Sequence, residues 1–171
     1  MSDLRERTIA IDKARVWHPY TEMSRYREEV EPLVVVRAKG SRLYDADGRR
    51  YIDGNASWWT STLGHNHPRL VAALVKQAEQ LCHTSLAGIA HPAASDLAEA
   101  ICAAAPSGLE HVFYSDNGST AVEVGMKLAL QYWAQNGHPE RCAFIALDNA
   151  FHGETLGVTA LGGVDVFRAP F

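Results

Sequence analysis

The first part of the chain carries its apolar residues in short β-branched or alternating bursts, and the later part carries them at helical spacing. "LVVVRA" from residue 33, a turn at Lys39-Gly40-Ser41, the alternating "RLYDA", a hairpin signal at Asp47-Gly48 and "RRYID" predict a small antiparallel meander over 33–53. A loop carrying "GNASWWTSTLGHNHP" follows. Pro68 suits a first helical turn, and Leu70, Leu74, Ala78 and Leu81 then mark one face of an amphipathic helix. "HTSLAGIAH" reads as a loop, after which Pro92 opens a second helix with Leu97, Ile101 and Ala105 on one face. "HVFYS" reads as a short strand. From Ser119 to Trp133 the run is apolar almost all round, as in a helix buried on several faces, and Gly137-His138-Pro139 ends it. "CAFIAL" has no polar alternation, as in a parallel strand covered on both sides. Strand, polar loop, helix and strand together predict a βαβ unit.

The polar knot Ser115-Asp116-Asn117-Gly118-Ser119-Thr120 lies where such a unit binds ligands, at a strand's carboxyl end facing a helix N-terminus. The first helical N–H groups lack internal partners, so an anion fits there without a lysine. Gly118 allows close approach, and Ser119 and Thr120 offer hydroxyls. The plainer alternative is that Asp116, Asn117 or Ser119 simply caps the helix, as such residues routinely do, and local composition alone leaves both readings open. No Gly-Lys-Ser/Thr follows, which argues against nucleoside triphosphate hydrolysis. "DNAFHGETLG" at 148–157 follows the next strand: Phe151 could cover a planar ligand while Gly153 keeps the backbone clear, or Phe151 could be a core residue beside a polar turn.

At 171 residues with 47% hydrophobic side chains, the chain is expected to bury most of its apolar residues in one core. A net charge of -4 gives no reason to expect nucleic acid or an anionic membrane as partner, which leaves a small molecule. "MSDLRERTIAIDKARVW" has no apolar signal core, and no apolar run approaches the roughly 20 residues of a membrane span, so a cytoplasmic location is expected. Cys82, Cys102 and Cys142 are far apart and read as buried free thiols. His65-Asn66-His67 has the alternation of some metal sites, but His67-Pro68 fits a helix start and no H-E-x-x-H occurs; no metal is expected. The apolar, proline-containing ending "GGVDVFRAPF" suggests a chain that stops before its fold is complete.

"SDNGSTAVEVGMKLALQYW" followed by "FHGETLG" resembles the class III, fold-type I aminotransferases that use pyridoxal 5'-phosphate. "WHPYTEM" at 17–23 and "DGNASWWTSTLGHNHP" at 53–68 resemble the branch of that family serving biotin synthesis. The resemblance runs from about Trp17 to about Gly157. It implies an α/β fold: an N-terminal segment with the meander and a substrate-pocket loop over 1–67, then over 68–171 the opening of the large, mostly parallel α/β/α cofactor domain. It implies that Gly118 and Ser119 hold the cofactor phosphate. On the same resemblance Phe151 would stack on the pyridine ring and face the substrate, where many relatives have Tyr and a phenolic hydrogen bond. The resemblance also implies that Trp58, with Trp59 beside it, lines the substrate pocket and that Tyr20 helps to recognise substrate. Glu123 and His152 rank as supporting residues. The implied reaction moves the amino group of S-adenosylmethionine to 8-amino-7-oxononanoate, giving 7,8-diaminononanoate, in a homodimer. The family's cofactor-bearing lysine, its acid for the pyridine nitrogen and its substrate arginine would all lie after residue 171, and Lys13, Lys39, Lys76 and Lys127 match none of that pattern. The 171 residues by themselves are therefore expected to be inactive, with no catalytic residue of their own.

Overall fold

A computed structural model describes residues 2–171. By contact the chain divides into two compact units, Met1–Ala87 and Gly88–Phe171.

The first unit begins with α1 (Ser2–Arg15) and α2 (Met23–Glu29). Asp3 in the first turn and Lys13 and Arg15 in the last complement the α1 dipole. The two helices are joined through Asp12, whose carboxylate accepts from Tyr26 Oη at 2.5 Å and from His18 Nε2 at 2.8 Å. Burial, and then the hydrogen bond to Asp12, push the Tyr26 phenol up to about 12. Neither helix stands out in the sequence, because α1 is polar nearly all round.

The meander is as its turn residues predict: β1 (Val35–Lys39), β2 (Arg42–Asp45) and β3 (Arg50–Ile52) pair antiparallel in the order β1-β2-β3. The second turn is built by Asp45, whose Oδ1 accepts from the N–H groups of Asp47 and Arg49 at 3.0 and 2.7 Å, while Gly48 takes φ +83°. On the sheet face the Arg37 guanidinium lies 3.6 Å from the Tyr44 ring centroid. The loop that follows contains a single turn, α3 (Ala56–Trp59), and then α4 (Pro68–Gln80), with Pro68 at its start as expected.

The second unit contains α5 (Pro92–Ala104), α6 (Gly118–Gln135), α7 (Leu156–Leu161) and α8 (Asp165–Arg168). His91 caps α5, its Nδ1 accepting from Ala94 N at 3.3 Å. Gly137, at φ +83°, ends the α6 run where the sequence places the break.

Four expectations are corrected. "HVFYS" and "CAFIAL" form no strands: a strand exists by its ladder, and among the described residues neither segment has a ladder partner. In doubly wound sheets, strands consecutive in sequence need not be neighbours. The core is thin, with Tyr26, Val34, Ala46 and Val158 the buried apolar side chains among the described residues. The stripes of α4 and α5 are present in sequence yet lie open, as at Leu74 and Leu97, because a stripe is buried only against a second element and these helices have none within their units. α6 is likewise a helix without buried residues. For the same reason Cys82 and Cys142 are exposed and Cys102 half-buried, though all three are free thiols. No helix among the described residues is long and apolar enough to cross a membrane.

Candidate functional site

In the first unit, Tyr20 and Trp58 stack with centroids 5.7 Å apart and planes 12° from parallel, and Trp59 meets Trp58 edge-on at 6.1 Å. All three are largely exposed and form an aromatic wall. The backbone beneath it is unusual. Ala56, Ser57, Trp58 and Trp59 all have positive φ, so α3 is a left-handed turn. Such a conformation costs L-residues roughly 1–2 kcal/mol each and persists only where the surroundings impose it.

Asp53 and Asn55 impose it. Asp53 Oδ1 accepts from Ser57 N at 2.9 Å, and Oδ2 accepts from Ser57 Oγ and His65 Nε2, both at 2.7 Å. The Asn55 side chain accepts from Trp58 N. The Ser57 amide, then the Ser57 hydroxyl and His65, hold the Asp53 carboxyl below the usual carboxylate range. The loop is in turn docked on the meander. Gly40 and His65 exchange backbone bonds at 3.0 and 2.8 Å, Asn66 Nδ2 donates to Ala38 O, and Gly64 lies so close that a Cβ there would be 3.2 Å from Gly40 Cα.

In the second unit, α6 opens with a capping box: Asn117 Oδ1 accepts from Thr120 N at 3.0 Å, and Thr120 Oγ1 accepts from Asn117 N at 3.0 Å. The cap and the uncommitted donors at this helix start therefore belong to different residues. Asn117 and Thr120 close the cap, and the Thr120 hydroxyl is thereby occupied. The amides of Gly118 and Ser119 have no partner among the described residues, and a Cβ on Gly118 would meet nothing within 4 Å. Ser119 Oγ accepts from Glu154 N at 3.0 Å, so its hydroxyl hydrogen is free to donate. The "FHGETLG" phrase thus crosses the start of α6. Gly153 (φ +141°) lies against Ser119, where a Cβ would fall 2.7 Å from Ser119 Cβ. Phe151 is about half exposed, with one face-to-edge neighbour, Phe167, at 5.6 Å.

All seven non-glycine residues of positive φ among the described residues are Tyr20, Ala56 to Trp59, Asn66 and Asn149. Every one falls in "WHPYTEM", "DGNASWWTSTLGHNHP" or "DNAFHGETLG", so backbone strain is confined to the phrases that carry the candidate chemistry.

The class III aminotransferase family model matches residues 23–169. The chain belongs to the class III aminotransferases. Members of this family depend on pyridoxal phosphate in general, and the fold is that of its solved members. The adenosylmethionine-8-amino-7-oxononanoate aminotransferase of Geobacter sulfurreducens is 46% identical over 160 residues, covering 94% of this chain and 35% of that protein. The enzyme of the same name from Aquifex aeolicus is 41% identical over 160 residues, again covering 94% of this chain and 35% of the relative. The crystal structure of the enzyme so named from Methanocaldococcus jannaschii superposes with a TM-score of 0.93 at 35% identity, over 98% of this chain and 38% of that one. An (S)-enantioselective omega-transaminase from Thermomicrobium roseum reaches 0.90 at 32% identity, over 97% of this chain and 37% of its own. The chain spans about a third of the length of the curated relatives it matches.

Two residues of the site escape sequence reasoning: Asp53 and Asn55 act through hydrogen bonds to nearby backbone. The Asx-type spacing of Asp53 to Ser57 is a signal that could find such residues, whereas Asn117 is already among the candidate caps and does cap α6. His65 and His67 do not act as a pair: His65 is bound to Asp53, and His67 precedes Pro68 at the start of α4. A concavity of the first unit, about 220 Å³, is lined by Arg5, Glu31, Asp45, Asp47, Arg49 and Tyr51 and holds none of the candidate residues. Its charges are satisfied among themselves, as in Arg5 with Glu31 and Asp47.

Proposed function

We propose that this protein serves a pyridoxal-phosphate aminotransferase that moves the amino group of S-adenosylmethionine to 8-amino-7-oxononanoate, acting in the cytoplasm as a homodimer. The observation that carries the cofactor reading is the start of α6, where two unpaired amides, Gly118 and Ser119, and one free hydroxyl hydrogen on Ser119 lie on one edge of an 18-residue helix. Their donor set fits a phosphate dianion, and the helix dipole adds to it. Phe151 would cover the pyridine ring by stacking. When bound, pyridoxal phosphate supplies the electron sink for moving an amino group, and the protein supplies orientation. Trp58, Trp59 and Tyr20 form an apolar wall suited to a long aliphatic substrate. The relatives' names support the choice of substrates, and the exposed apolar side chains support a partner subunit.

A titration separates this reading from simple helix capping. Pyridoxal phosphate should bind saturably and pyridoxal, which lacks the phosphate, much more weakly. Ser119→Asp, which puts a carboxylate among the donors, should weaken pyridoxal phosphate binding by at least about tenfold. Equal binding of the two aldehydes, or indifference to Ser119→Asp, would sink the phosphate assignment.

A further inference from the structure

We propose that Glu123 is a positioning residue that fastens the Phe151 loop to the phosphate helix, so that ring and phosphate are held in register; this rests on the cofactor reading above. Ser119 and Glu123 are one turn apart on the same face of α6. The 153–158 segment runs along that face and is tied to it at both residues. At the first, Glu154 N donates to Ser119 Oγ and Gly153 lies against the Ser119 side chain. At the second, Glu123 Oε2 accepts from Thr155 Oγ1 at 2.6 Å and from Val158 N at 3.1 Å, and a Cβ on Gly157 would lie 3.0 Å from Glu123 Cδ.

The second tie is the stronger. Thr155, the residue before α7, makes no cap bond with its own side chain. Glu123 does that work from the neighbouring helix, placing a carboxylate where the α7 dipole and a free amide favour it. Val158, whose amide it holds, is fully buried. α7 and the Gly162-Gly163 pair that follows it then frame the Phe151 loop from both sides: Thr159 Oγ1, in α7, donates to Gly153 O at 3.3 Å, and Gly163 N, just past its end, donates to Ala150 O at 2.9 Å. Phe151 lies between those two points, and Glu123 joins the frame to α6.

The role separates phosphate from ring. Gly118 and Ser119 donate from α6 itself, so losing Glu123 should leave inorganic phosphate binding within about twofold of wild type. Affinity for pyridoxal phosphate should fall roughly tenfold in Glu123→Ala, the scale of losing charge-assisted bonds, with Glu123→Gln recovering part of it. Hydrogen exchange supplies a second readout, in which the Val158 amide should lose protection in Glu123→Ala while the amides in the middle of α6 keep theirs. Glu123→Gln, close to isosteric, carries the comparison if the alanine variant fails to fold. Equal losses for inorganic phosphate and pyridoxal phosphate, or unchanged affinities with Val158 still protected, would overturn the role. A wild-type protein that binds neither probe would instead overturn the cofactor reading, and this role with it.

Discussion

The aromatic wall of the first unit and the proposed phosphate cup of the second solve the same problem in opposite ways. At the wall, four residues with side chains are forced into left-handed backbone, and Asp53 and Asn55 hold them there. At the cup the helix itself is relaxed and properly capped, and crowding is relieved by omitting side chains, as at Gly153 and Gly157. The difference follows from what each must present. A wall needs large side chains aimed in an uncommon direction, so it accepts strain. A cup needs bare N–H groups, so it excludes side chains from its neighbourhood.

The sharpest way to break this contrast is to put a side chain where the cup has none. Gly153→Ala combines a φ of +141° with a Cβ placed 2.7 Å from Ser119 Cβ, and neither backbone can retreat without losing the Glu154 bond to Ser119. We expect a cost of about 3 kcal/mol in denaturant unfolding, from strain plus overpacking. Pyridoxal phosphate binding should fall with it. A variant as stable as wild type would mean that the loop does not press on α6 as described.

How much of this was legible beforehand varies with how local the cause is. The meander could be read because Lys39-Gly40-Ser41 and Asp47-Gly48 specify their own turns. Helices at 68–80, 92–104 and 118–135 could be read from period and from proline at the start. "HVFYS" and "CAFIAL" could not be settled, since strand formation depends on a partner elsewhere in the chain. The left-handed turn was hidden for a different reason: Ala-Ser-Trp-Trp contains no glycine or asparagine to announce positive φ, and the cause sits in Asp53. Ser119, Trp58 and Tyr20 were visible through the phrases that contain them. Glu123 was visible only as a member of its motif, because its partners Thr155 and Val158 lie over thirty residues away in sequence.

The reverse substitution tests the wall. Ala56→Gly removes a Cβ from a residue at φ +52°, and no side-chain bond is lost with it. Relief of left-handed strain should outweigh the greater freedom glycine gives the unfolded chain, for a net stabilisation of up to about 1 kcal/mol. Urea unfolding followed by tryptophan fluorescence reads it directly. Destabilisation would show that the turn is not strained at Ala56, and the contrast between the two regions would lose its basis.

The smallest expected effect is on pH, and at the aromatic wall it bears on Asp53. Its folded-state pKa lies below the ordinary aspartate value, held there first by the Ser57 amide. The stabilisation from its ionised form is therefore fully present above about pH 4 and is lost as pH falls through the depressed folded value. Near-UV circular dichroism of the Tyr20–Trp58 stack should stay constant from pH 7 to about 4 and decay below that. Asp12 is also held low, first by Tyr26, so acid loosens the α1–α2 contact in the same range. Asp53→Asn separates the two. It removes an acceptor that His65 Nε2 and Ser57 Oγ share, so the aromatic signal should already be reduced at pH 7 and be flatter in acid, while the contribution from Asp12 remains. A variant with the wild-type signal and acid profile would assign the whole transition to the α1–α2 contact and leave the left-handed turn to be held by Asn55 and the packing of the tryptophans.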